Sequence, residues 1–136
     1  MERLFIQGGR LTGKTKLMID KAIEEAENGN SVTIFASSKQ RMVYIKGKLA
    51  NIIGKSSRNP LVCCCENKQP KGWNINWAFI DDIDLWTEVD RETIIGYLSM
   101  EFVPCIWVTT SNECPSVEKY MLKNNFKKRS VEQCDL

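Results

Sequence analysis

The sequence predicts a three-layer α/β domain, a mainly parallel sheet with helices on both faces, spanning residues 1–136 as one unit. Three observations predict it. Short β-branched or apolar runs alternate with stretches of helical spacing, a glycine-rich loop joins the first run to the first helix, and two adjacent carboxylates, Asp81 and Asp82, close a later apolar run.

Leu4, Phe5 and Ile6 form the first strand, which ends at Gly8 and Gly9. Lys14 to Asn28 follow as an amphipathic helix with Leu17, Ala22, Ile23 and Ala26 at helical spacing and Gly29 as its stop. Ser31 to Ala36, SVTIFA, is a second strand, closed by the polar Ser37-Ser38-Lys39-Gln40. Arg41 to Ile53 returns to helical spacing through Ile45, Leu49 and Ile52 before Gly54 and KSSRNP end it. Leu61 to Cys65 reads as a third strand, and the turn formers ENKQPKG separate it from a fourth at Trp77 to Ile80. Asp90 to Met100 is helical through Ile94, Ile95 and Leu98, and Val103 to Thr109 reads as a buried strand with Pro104 at its entry. Pro115 suits a first helical turn, so Pro115 to Asn124 forms the last helix on Val117, Tyr120 and Met121. Phe126 to Leu136 is mixed and charged and shows no assignable period.

Such alternation implies right-handed crossovers between parallel strands. Ligands in these sheets bind outside the carboxyl ends of the strands, where the glycine loop, Asp81-Asp82 and Thr109-Thr110 all fall.

Composition narrows the chemistry. Histidine is absent, so imidazole bases, Ser-His triads and most catalytic zinc sites are excluded. The cysteines Cys63, Cys64, Cys65, Cys105, Cys114 and Cys134 include no C-x-x-C pair and read as buried thiols rather than a disulfide framework. No apolar run reaches the roughly 20 residues of a membrane helix, and Met1-Glu2-Arg3 opens no secretory signal, so a cytoplasmic location without membrane contact is expected. A net charge of +2 does not by itself argue for nucleic acid. Its distribution says more: bases gather at Lys46, Lys48, Lys55 and Arg58 and again at Lys119, Lys123, Lys127, Lys128 and Arg129, apart from the acids between Asp81 and Glu92. Trp73, Trp77, Trp86 and Trp107 flank or occupy strands and read as packing residues.

The loop fills every fixed position of G-x-x-x-x-G-K-[ST] with Gly8, Gly13, Lys14 and Thr15. Glycines let successive backbone N–H groups turn on anionic oxygens while the following helix offers its positive end. The segment Gly8, Gly9, Arg10, Leu11, Thr12, Gly13, Lys14, Thr15 and Lys16 is therefore the expected triphosphate cradle. Lys14 adds a point charge on the phosphates, and Thr15 with Asp81 would hold Mg²⁺, an ion that prefers oxygen ligands. Asp82 is placed to orient and deprotonate an attacking water, with Asp84 as a competitor for that role. Arg10 could stabilise transition-state charge from within the loop, and Thr109, Thr110 or Ser111 could contact the γ-phosphate or the water.

GGRLTGKT (Gly8 to Thr15), NWAFIDD (Asn76 to Asp82) and IWVTTSN (Ile106 to Asn112) resemble the Walker A, Walker B and coupling motifs of additional-strand P-loop ATPases, the class of helicases and viral DNA-packaging terminases. The GGR opening is most similar to terminase large subunits, and SSKQR after the second strand is similar to a segment those proteins place near DNA. The resemblance implies ATP and Mg²⁺ as cofactors and hydrolysis with Lys14, Asp82, Arg10 and Thr110 as catalytic groups. It also implies DNA as a partner, and a second copy or another subunit as a source of arginine. Asp82 stands where glutamate is usual, and these 136 residues are expected to hold neither a second ATPase lobe nor a nuclease domain. Two alternatives stay open: a nucleotide-dependent binding module with little turnover, and a small nucleoside or nucleotide kinase. GTP switches need N-K-x-D after the metal carboxylate, whereas Asn67-Lys68-Gln69-Pro70 precedes it and lacks the Asp.

Overall fold

In the computed structural model, which describes residues 2–7, 13–53, 61–65 and 74–131, six strands form one sheet. They are Glu2–Gln7 (β1), Val32–Ala36 (β2), Leu61–Cys65 (β3), Trp77–Ile80 (β4), Cys105–Thr109 (β5) and Lys127–Ser130 (β6). Their order is β3-β2-β4-β5-β1-β6 and every pairing is parallel. Parallel neighbours cannot be joined by a tight hairpin, and helices are carried by the connections β1–β2, β2–β3, β4–β5 and β5–β6: Lys14–Glu27 (α1), Lys39–Ile53 (α2), Glu88–Met100 (α3) and Pro115–Lys123 (α4). This is the three-layer α/β arrangement, a parallel sheet with helices on both faces, expected from the sequence.

Period-two alternation divides the strand side chains between two cores. Leu4, Ile6, Ile34, Phe79 and Trp107 pack with Met18, Ile23 and Ile45 of α1 and α2. Phe5, Phe35, Ile80, Ile106 and Val108 pack with Ile94, Leu98, Val117 and Met121 of α3 and α4. Both faces are thus covered, which is why β2, β4 and β5 are continuous apolar runs rather than half-polar ones. Trp77 stacks on Phe79 with ring centroids 5.8 Å apart, and Trp107 meets both rings edge-on.

The helix ends follow their capping chemistry. Thr87 accepts the Asp90 N–H at 3.1 Å, and Glu88 and Asp90 lie on the positive end of α3, which starts two residues earlier than the apolar spacing indicates. Gly29, at φ 88, closes α1 in a left-handed turn in which its N–H reaches the Ala26 carbonyl at 3.0 Å. In α2, Ile45 and Leu49 are buried as expected, but Ile52 is 57% exposed and forms no part of the core stripe. The unassigned tail supplies β6, a charged edge strand on β1. Cys63 and Cys64 are buried, Cys105 and Cys114 are half-buried, and Cys134 and Trp73 lie outside the described residues. Among the described residues no helix is long and apolar enough to cross a membrane.

Candidate functional site

The carboxyl ends of β1, β4 and β5 meet at one edge because the register pairs Ile6 with Thr109 and Ile80 with Val108. Residues immediately beyond those positions are therefore neighbours. On β1 these begin the loop; Gly8, Gly9, Arg10, Leu11 and Thr12 lie outside the described residues, and the described part resumes at Gly13. Gly13 has φ 83 and accepts the Leu17 N–H at 2.9 Å, so a left-handed residue starts α1 and turns its first amides toward the edge. Lys14 is buried, 8% exposed, and burial pushes its ammonium below the ordinary lysine range while Asp82 and Asp84 pull it back up. Lys16 points elsewhere: its Nζ pairs with Asp20 at 3.3 Å with 83% of the side chain exposed.

Asp81 lies at the end of β4 with its side chain 1% exposed. Arg41, in the first turn of α2, donates to it twice, Nε to Oδ2 at 2.9 Å and Nη2 to Oδ1 at 3.1 Å. The same Nη2 donates to Thr15 Oγ1 at 3.2 Å. Arg41 thus ties together the two side chains expected to hold Mg²⁺. The oxygen pair fits such an ion by donor chemistry, a hydroxyl beside a buried carboxylate that already share a cationic partner. Trp86 Nε1 donates to the Asp81 carbonyl at 2.9 Å and fixes the backbone from the other side.

Asp82 begins a short 3₁₀ turn, Ile83–Leu85, from a left-handed backbone at φ 49. Its N–H is held by Thr109 Oγ1 at 3.0 Å. Burial first, then the Asp81 carboxylate, pushes its acid up from 3.8 to about 6, with Arg41 and Lys14 opposing the rise. A carboxylate so raised remains ionised at neutral pH yet is a stronger base than an ordinary aspartate. Asp84 does not compete with it: Asp84 accepts from Ser111 N at 2.8 Å, Ser111 Oγ at 2.6 Å and Asn112 N at 3.2 Å, which spends its lone pairs on bracing the turn after β5.

Thr110 is fully buried, its N–H reaches the Ile6 carbonyl at 3.3 Å, and its Oγ1 has no hydrogen-bond partner among the described residues. Gln7 Nε2, at the end of β1, is likewise buried without one. Both atoms lie at the carboxyl-end edge of the sheet, Gln7 at the end of β1 and Thr110 just after β5. The structure therefore brings together Lys14, Thr15, Asp81, Asp82, Thr109 and Thr110. Arg41 is the residue that sequence reading missed at this site, although its place just past the carboxyl end of β2 was a usable signal.

No family model and no curated protein matches the sequence. Among solved structures the chain is similar to FtsY from Mycoplasma mycoides at 17% identity and a TM-score of 0.48, over 91% of this chain and 37% of that one. The chain spans little more than a third of the length of that protein.

Proposed function

We propose that this chain binds ATP with Mg²⁺ and hydrolyses it. The observation that carries the reading is the Thr15–Asp81 oxygen pair standing beside the buried Lys14 and the raised Asp82, directly after a loop that fills the G-x-x-x-x-G-K-[ST] pattern. Lys14 holds positive charge at the phosphates, and Thr15 with Asp81 would hold the metal. Mg²⁺, when bound, neutralises charge developing on the phosphate oxygens. Asp82 takes the proton of the attacking water, and Thr109 fixes the Asp82 backbone for that task. Support for the additional-strand class comes from the strand order, in which β5 separates the loop strand β1 from the acid strand β4.

Calorimetric titration of ATP and GTP, with phosphate release measured in parallel, tests the reading. Lys14→Ala is expected to weaken ATP binding about tenfold or more; unchanged affinity sinks the phosphate assignment. ATP binding without phosphate release favours the binding module, and ADP formation only with a phosphoryl acceptor favours the kinase.

The DNA-linked, terminase- or helicase-like role is the finer part of the proposal. It draws on the motif resemblance and on the exposed bases of β6, Lys127, Lys128 and Arg129. The SSKQR segment supports it less than its sequence suggests, since Arg41 is engaged with Asp81. Single- and double-stranded DNA are expected to raise the ATPase rate; identical rates with either or none refute a DNA-linked motor.

A further inference from the structure

Arg41 has no part in the phosphate chemistry above, yet it occupies the centre of the site. Its guanidinium makes two charge-assisted hydrogen bonds to a carboxylate that is 1% exposed and a third bond to Thr15. A buried carboxylate with no cation nearby is strongly disfavoured, so the site is built to contain positive charge at all times. Both oxygens that would bind a metal are covered by the same guanidinium, and two cations cannot share them without mutual repulsion.

Arg41 also has a second partner besides Asp81 and Thr15. Its side chain is 27% exposed, and its guanidinium carbon lies 5.0 Å from the ring centroid of Tyr44, three residues along α2. Tyr44 and Thr15 line a cavity of about 360 Å³ that also borders Ile19 and Asn51, between α1 and α2. Tyr44 already carries the guanidinium while it bonds Asp81, so a guanidinium that lets go of the carboxylate keeps the ring as a partner and remains partly hydrated.

The geometry points to Arg41 as an exchangeable cation that holds the Thr15 hydroxyl and the Asp81 carboxylate through these contacts and releases them only when Mg²⁺ and a triphosphate arrive together. This inference rests on the Mg²⁺–ATP reading above. The device makes metal binding conditional on nucleotide: the phosphate oxygens help displace the guanidinium, and nucleotide alone leaves the ion pair closed.

The test measures Mg²⁺ affinity by calorimetry on protein saturated with a non-hydrolysable ATP analogue, in wild type, Arg41→Gln and Arg41→Lys. Arg41→Gln is expected to bind Mg²⁺ about tenfold tighter than wild type, because no ion pair has to be broken, with Arg41→Lys between the two. Analogue binding combined with unchanged or weaker Mg²⁺ affinity in Arg41→Gln overturns the exchange and leaves the nucleotide reading standing. Failure of wild type to bind the analogue at all overturns both. Since Arg41→Gln strands Asp81 without its partner and can unfold, a second measurement uses wild type alone. The Nε–H resonance of Arg41, identified by its absence from the Arg41→Lys spectrum, is expected to hold its position with analogue and to shift when Mg²⁺ is added. A resonance that does not respond to Mg²⁺ overturns the proposal.

Discussion

Asp82 combines a left-handed backbone with a carboxyl raised to about 6. Its folded value lies above its unfolded one, so the folded state binds the proton more tightly. Stability from this group is present at low pH and is lost as pH rises from about 4 through 6. Asp82→Asn removes the buried charge and keeps a residue tolerant of φ 49, so it is expected to be more stable than wild type at pH 7 by on the order of 1–2 kcal/mol. The gain disappears near pH 4, and urea midpoints at the two pH values measure it. Turnover in the same variant is expected to fall about a hundredfold, because the base is gone. Thr109→Val removes the acceptor for the Asp82 N–H and is expected to cost about 1 kcal/mol. Steady-state kinetics should then show a lower kcat with ATP affinity within about twofold of wild type. Lys14, Thr15, Asp81 and Asp82 were legible because adjacent residues in short motifs specify them. Arg41 was not, because it reaches Asp81 across 40 residues of chain and only the sheet makes them neighbours.

Elements with strong apolar periods were readable to within about two residues at each end. β6 was not, since KKRS carries no β-branched side chain and its first three residues are exposed. It forms because β1 offers an open edge, and its charges suit an edge that must not recruit another strand. The exposed Ile52 shows the opposite failure, an apolar residue at helical spacing that the fold leaves outside. At the end of α1 the reading from Gly29 is testable in isolation. A Cβ there meets nothing within 4 Å, so Gly29→Ala changes only the backbone energy at φ 88. The expected loss is about 1–2 kcal/mol, seen as a lower Tm in calorimetry, with ATP affinity unchanged.

Across the whole molecule, the alternation of strand and helix specified layers and parallel pairing, whereas strand order depended on long-range packing that no local pattern records. That order fixes which parts open first. β4 and β5 are buried in the centre of the sheet, while β6 is a four-residue edge strand paired on one side. Amide hydrogen exchange is expected to be at least about a hundredfold faster in β6 than in β4 and β5; comparable protection across the sheet contradicts this. The contact between Trp86 and the Asp81 carbonyl gives the molecule a built-in optical gauge. Of the other described tryptophans, Trp77 stacks on Phe79 and Trp107 meets it edge-on, both on the other face of the sheet and away from this contact, so their emission forms a steady background. An indole bonded to the backbone of the metal-side aspartate changes colour when that backbone moves, which makes intrinsic fluorescence a label-free readout of events at Asp81.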